Sequence, residues 1–286
     1  MPRKTFQHTV PFLPDVESPT MRNTLNTAVR LTVLATAVLG ATFAHAATVT
    51  PGQFKVGMEI TYPPFESYDE KKNVVGSDPD LSRLLAKHMD LKAEFVDTKF
   101  SSLILSLNAG HYDAIISGMY ITPERQTQAQ TIAYAKTGAA IMVLKDSPLK
   151  PKVPEDLCGL KVGLEKGTTW VAQFNKLSTD YCVPNNKGAI SVSEFPSAPE
   201  VTQALLSGNV QAQVEIDGAA GMIAERTKGR VVVSTEHSIY QQTLGIYVKK
   251  GNDELYQALL KAFDETKKSG EYAALLKKYN LEEPSN

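Results

Sequence analysis

The sequence predicts an α/β protein of two similar lobes, each a mostly parallel sheet flanked by helices, joined by two crossing hinge strands. Three observations carry this expectation. Short apolar runs alternate with stretches of helical periodicity, the pattern of β–α–β units. That pattern runs once through residues 54–117 and restarts at Leu160. Two further apolar strands, Ala139 to Leu144 and Leu244 to Val248, stand where the chain would leave the first lobe and return to it. Two crossings of this kind permit hinged closure.

In the first half, Phe54-Lys55-Val56-Gly57 reads as a strand, and Asp80 to Met89 places Leu81, Leu84, Leu85 and Met89 at helical spacing. Ala93 to Val96 is the next strand. Ser101 to Ala109 is a helix stopped by Gly110, and Asp113 to Ser117 is a third strand. In the second half, Leu160 to Gly163 is a strand, Thr169 to Leu177 a helix and Ile190 to Val192 a strand. Pro199 to Leu206 is a helix stopped by Gly208, and Ala212 to Ile216 is a strand. Leu107 to Ala114 and Leu205 to Ala212 occupy matching places in the two halves. The chain ends in helices, with Leu255, Leu259 and Phe263 four apart and Lys267-Lys268 before Gly270. The expected division is 47–140 plus 241–286 for the first lobe and 141–240 for the second.

Residues 1–46 are expected to lie outside the fold. From Met21 the chain carries Arg22 and Arg30, an apolar run from Leu31 to Phe43, and the small-residue site Ala44-His45-Ala46. This is the layout of a secretory signal peptide, and the run is shorter than the roughly 20 residues a bilayer span needs. Translation from Met21 and cleavage after Ala46 are expected, leaving 240 residues. The alternative is a buried core helix.

The 286 residues are 42% hydrophobic and 21% charged with a formal net charge of −1, so no field attracts nucleic acid. The two cysteines are Cys158 and Cys182. In an exported chain a lone pair reads as one disulfide, stabilising by roughly 3 kcal/mol through its closed loop; two free thiols are the alternative. No GxSxG, GxxxxGK[ST], GxGxxG after a strand or HExxH is present. Beyond residue 46 only His88, His111 and His237 remain, widely scattered, so no metal site and no cofactor are expected.

Three loops could meet a ligand. Thr122-Pro123-Glu124-Arg125 places an N-cap, a first-turn proline and then Arg125 at a helix start, where a fork-shaped cation beside backbone donors can clamp a carboxylate. A surface arginine is the plain alternative. Gly167-Thr168-Thr169-Trp170 is the counterpart in the second half, able to meet an anion or simply to cap its helix. Tyr62-Pro63-Pro64-Phe65 is a stiff loop after the first strand, at the end of the sheet where open α/β folds bind ligands. Its rings could stack on a ligand or pack on their own lobe.

The chain resembles the polar-amino-acid family of bacterial ABC-importer binding proteins over nearly all of residues 54–280. The carriers are Tyr62 to Phe65, Gly76 to Leu81, Phe100 to Gly110, Tyr112 to Met119, Thr122 to Arg125 and Gly167 to Thr169. The resemblance implies the periplasmic-binding-protein fold, whose lobes close on an amino acid or an amino-acid-like molecule without covalent chemistry. It implies a periplasmic location and delivery to a membrane permease, with the protein a monomer. Arg125 matches the family's carboxylate-binding arginine, Ser117 and Gly118 its head-group contacts, Thr169 a second-lobe carboxylate contact, and Tyr62 and Phe100 the aromatic pair enclosing the side chain. Glu59 stands where relatives carry an Asp near the side-chain pocket.

Two departures stand out. Tyr120 replaces the family's Ser or Thr against the carboxylate. The family's amine-binding Asp follows a second-lobe Asp-Ala pair by four residues; here the pair is Gln211-Ala212 and position 216 is Ile. A one-residue bulge would restore the role to Asp217; Glu215 is the other neighbour, and a ligand without an ordinary α-amine is the remaining possibility. An enzyme of the cyclohexadienyl dehydratase type would need a general acid from Glu59, Glu215 or Asp217. A ligand sensor for a membrane receptor would differ only in its partner.

Overall fold

Phe54, Val56 and Met58 are fully buried along β1 (Gln53–Met58), because this strand lies in the middle of a parallel group and is covered on both faces. The computed structural model describes residues 47–284, so the expected signal segment and its cleavage site lie outside the described residues. After β1 come β2 (Ser67–Tyr68), β3 (Val74–Val75), α1 (Ser77–His88), β4 (Lys92–Asp97), α2 (Leu103–Asn108), β5 (Ala114–Ile115) and α3 (Pro123–Gln128). β1 pairs in parallel with β4 and β5. The second group follows: β6 (Ala129–Leu144), β7 (Lys161–Glu165), α4 (Thr169–Leu177), β8 (Ser191–Phe195), α5 (Ala198–Leu206), β9 (Ala212–Ile216), α6 (Asp217–Arg226) and β10 (Val231–Val233). β7 pairs in parallel with β8 and β9. The chain closes with β11 (Ile239–Lys249), α7 (Asp253–Lys268) and α8 (Glu271–Tyr279).

The two parallel groups are joined by antiparallel crossing strands, in the order β4-β1-β5-β11-β6-β9-β7-β8. β6 pairs with β11 from Ala129↔Lys249 to Ala139↔Ile239. Its last residues then pair with β9, Ala139↔Ile216 to Met142↔Gln213, and with β10 at Leu144↔Val231. One strand therefore belongs to both halves, and the two-lobed architecture expected from the sequence is present.

Three differences from the expected elements have local causes. β5 is two residues long because side chains replace ladder bonds at both ends: the Asp113 carboxylate takes the Lys55 N–H at 2.7 Å, and the Ser117 hydroxyl takes the Glu59 N–H at 3.0 Å. β6 begins at Ala129, ten residues before the expected strand, and buries Ile132, Tyr134 and Ala135. α6 was not expected, since Gly218 and Gly221 weaken both its propensity and its periodicity.

The expected Cys158–Cys182 disulfide is formed, across a sequence separation of 24. It ties the segment before β7 to the turn after α4. Gly76 has φ 135°, and a Cβ there would lie 2.1 Å from the Phe65 carbonyl oxygen. Only glycine lets the Tyr62–Phe65 loop lie against the start of α1, where Ser77 N donates to Pro64 O and Asp78 N to Phe65 O, each at 3.0 Å.

Candidate ligand-binding site

Parallel strands end together on one side of each sheet, and the residues just past those ends meet in one narrow cavity with room for little more than water, about 30 Å³. Beyond β1 stand Glu59, Thr61 and Tyr62; beyond β4, Phe100; beyond β5, Gly118 and Tyr120. The second group contributes Glu165 at the end of β7, Thr168 to Trp170 at the start of α4, and Ile216 at the end of β9. Arg125 reaches in from α3.

Arg125 is 8% exposed. The Thr122 hydroxyl caps α3 by accepting from Arg125 N at 3.1 Å, and Pro123 sets the first turn. The guanidinium donates from Nη1 to Tyr120 O at 2.6 Å and from Nη2 to Gly167 O at 2.9 Å, and lies 5.6 Å over the Phe100 ring. It thus spans the seam between the halves. A second link across the seam is Tyr62, whose hydroxyl donates to Glu215 Oε2 at 2.7 Å and accepts from Ile216 N at 3.0 Å.

The rest of the wall is acidic. Glu59 Oε2 accepts from Phe100 N at 2.8 Å, and Lys99 Nζ lies 3.4 Å from Glu59 Oε1. Burial first, and then the facing Glu59 carboxyl, push Glu165 up to about 11. Glu66 is raised by burial and by Asp78, its partner in a carboxyl pair held by Ser117 Oγ, Gly118 N and Tyr134. Among buried side-chain atoms of the cavity wall, Glu165 Oε1, Glu66 Oε2 and Trp170 Nε1 have no hydrogen-bond partner. The Trp170 ring meets Tyr120 edge-on at 6.1 Å.

Seven of the nine residues singled out from the sequence line this cavity: Glu59, Tyr62, Phe100, Gly118, Tyr120, Arg125 and Thr169. Ser117 and Asp217 do not. The Ser117 hydroxyl is consumed inside the first lobe, donating to Glu66 Oε1 at 2.8 Å and accepting from Glu59 N at 3.0 Å. Asp217 lines a separate hollow with Gly138 and Ser238, and its Oδ2 accepts from Ser238 Oγ at 2.6 Å. The bulge that would have turned it inward is absent, since β9 stays in register with β6 through Ile216. Ile216 therefore takes the cavity face, and Asp217 opens α6.

Glu165, Glu66 and Thr61 were not anticipated as cavity residues, whereas Thr168 belongs to the second-half loop expected to meet an anion and Ile216 was noted only as standing at the family's Asp position. Glu165 carried a readable signal: a carboxylate at the last position of a parallel strand, just before the Gly167-Thr168-Thr169 turn, sits where such sheets bind ligands. The expected strand stopped two residues short of it.

Glu215 gives a pH prediction. Burial raises its carboxyl from the ordinary 4.5 to about 7, only partly offset by Gln213 and Tyr62. A raised carboxyl favours the folded state in its protonated form. Its contribution is full below the unfolded value and is lost as pH rises through about 7. Ligand-free protein is expected to lose roughly 2 kcal/mol of stability between about pH 5 and about pH 7.5 from this group. Urea melts of Glu215→Gln should show a shallower pH slope; an unchanged slope would refute the assignment.

Two lobes joined by two strands, with a lobe-bridging cavity between them that holds a buried arginine and several carboxyls, define a solute-binding protein. The chain belongs to the bacterial extracellular solute-binding proteins, family 3, which matches residues 54–282. It is 41% identical over 137 residues to the ABC transporter arginine-binding protein 1 of Escherichia coli (strain K12), a match spanning 48% of this chain and 55% of that protein's length. An ancestral arginine-binding protein solved with arginine superposes with a TM-score of 0.73 at 35% identity, covering 80% of this chain and 98% of the other. An ancestral amino acid-binding protein, AncCDT-1, described as a precursor of cyclohexadienyl dehydratase, gives a TM-score of 0.67 at 32% identity, covering 80% and 95%. Among the described residues no helix is long and apolar enough to cross a membrane.

Proposed function

We propose that this chain is the extracytoplasmic ligand-capturing component of an ABC importer, taking an amino acid or amino-acid-like molecule and delivering it to a membrane permease. The carrying observation is Arg125, a buried guanidinium whose Nη2 reaches Gly167 O across the seam. A ligand carboxylate arriving there would be met by a bidentate fork and by the free N–H groups at the start of α4. Because the cavity wall comes from both halves, ligand binds the closed arrangement better than an open one and shifts the population toward closure. Residues 47–140 with 241–286 form one moving lobe and 141–240 the other, turning on β6 and β11. Residues 1–46 act as the export segment, cleaved after Ala46 to release a monomer into the periplasm; the N-terminal residue of exported protein, expected to be Ala47, checks this.

One observation bears on an elimination enzyme on the same fold: Glu165 is a carboxyl held protonated in the cavity, as a general acid would be. The similar proteins named above are described as binding proteins, and capture without chemistry is the reading adopted. Conversion of prephenate or arogenate by the purified protein would overturn it.

Closure has a built-in reporter. Trp170 is the one tryptophan of the sequence, is 2% exposed and packs on Tyr120 of the other lobe. Its fluorescence should shift on ligand addition and saturate at one ligand per chain, with calorimetry giving the same stoichiometry. Thr169→Val, which removes only a hydroxyl, should weaken the response while sparing the fold. Tight binding with no fluorescence change and no compaction in X-ray solution scattering would defeat the closure model.

A further inference from the structure

We infer that lobe closure takes up one proton from solvent, held between Glu165 of the second lobe and Glu59 of the first, so that ligand capture is linked to pH. This deepens the proposed function and rests on it. The two side chains come from opposite sides of the seam, Glu59 just past the end of β1 and Glu165 at the end of β7, and both line the cavity. They are 4% and 6% exposed. Glu59 has donors of its own: Phe100 N gives to Oε2 at 2.8 Å, and Lys99 Nζ lies 3.4 Å from Oε1. It is therefore the partner that stays ionised. Glu165 Oε1 is buried and meets no N–H or O–H donor, and the carboxyl that Glu165 hydrogen-bonds is that of Glu59. Two carboxylates in contact at this depth would repel, and a buried acceptor would stay without a donor. A proton on Glu165 removes both faults and turns the contact into an O–H···O⁻ hydrogen bond.

The other charged groups around Glu165 do not supply what the proton supplies. Glu215 on β9 adds a second like charge, and Lys99 opposes it only weakly. Arg125 spends its donors on Tyr120 O and Gly167 O. Glu66 is engaged with Asp78 and Ser117 inside the first lobe. Burial and the Glu59 carboxyl thus raise Glu165 far above the ordinary 4.5. When the lobes part, Glu59 withdraws and water reaches Glu165, so its carboxyl returns toward the ordinary value. A carboxyl raised in the closed form favours closure fully below its open-form value, and that contribution is lost progressively as pH rises toward about 11. Near neutral pH, affinity should fall by about tenfold per pH unit.

The test is calorimetry at about pH 8, above the Glu215 value of about 7, in two buffers of different ionisation enthalpy. The probe is the tightest-binding of the common amino acids. The difference in heat between the buffers gives the protons taken up per ligand bound, expected to be about one in the unaltered protein. In Glu165→Gln, whose amide N–H still donates to Glu59, uptake should fall by about one and the pH slope of Kd should flatten. Comparing the two proteins cancels any proton that the probe itself gains or loses. Glu215→Gln should keep the uptake, because Glu215 is already largely ionised at this pH. Binding without proton uptake, or uptake undiminished in Glu165→Gln, would overturn the inference and leave the proposed function standing. Uptake lost in Glu215→Gln would also overturn it, and that variant decides the matter if Glu165→Gln no longer binds. If no amino acid binds at all, the proposed function itself fails.

Discussion

Arg125→Ala is expected to cost about 3–5 kcal/mol of ligand binding, because a carboxylate enclosed in the cleft loses its charged partner. That is roughly a hundred-fold to several-thousand-fold in Kd. The loss has two sources. The fork that meets the ligand disappears, and so does the bond from Nη2 to Gly167 O that holds the halves together beside it. Arg125→Lys should recover little, since an ammonium cannot serve Tyr120 O, Gly167 O and a carboxylate from one plane. The fold should survive, because the α3 cap uses Arg125 through its backbone N–H and not its side chain. Calorimetry on a folded Arg125→Ala protein decides the matter; unchanged affinity would remove Arg125 from the binding role.

The second large effect concerns stability. Replacing Cys158 and Cys182 together by alanine is expected to cost about 3 kcal/mol, through the entropy returned to the unfolded chain by a released loop of 24 residues. Ligand affinity should hold, because Cys158 precedes β7 whereas the cavity lies beyond that strand's other end. Urea unfolding should show a lower midpoint with a nearly unchanged affinity in calorimetry. Thiol titration of denatured, unreduced protein should find no free sulfhydryl. Two free thiols, or an undiminished midpoint in the double variant, would contradict a stabilising bridge.

Much of the architecture was legible because it rests on local patterns. Phe54 to Gly57, Leu81 to Met89, Ala212 to Ile216 and Leu255 to Phe263 show their periods openly, and each is an element of the expected type. The Thr122-Pro123 start of α3 was legible for the same reason: cap and first-turn chemistry are decided within a few residues. Loops past the strand ends could be named as the ligand side because parallel sheets place them there.

Other features depend on which residues meet across space. Whether Glu215, Ile216 or Asp217 faces the cavity hung on a one-residue register, and the sequence read by itself favoured a bulge. The unbroken pairing of β9 with β6 decided for Ile216, because strand side chains alternate faces and a shift of one exchanges inside for outside. The Ser117 hydroxyl looked available until the fold brought Glu66 and the Glu59 N–H to it from elsewhere in the chain. The pairing of Glu59 with Glu165, far apart in sequence, exists only once the two halves face each other. The sequence by itself therefore determined most of the elements, though not α6, through short-range pattern, the disulfide partners through the lone cysteine pair, and the family through the resemblance its motifs carry. The tertiary structure decided which carboxylates face the ligand, since that depends on register and on burial shared between two distant segments.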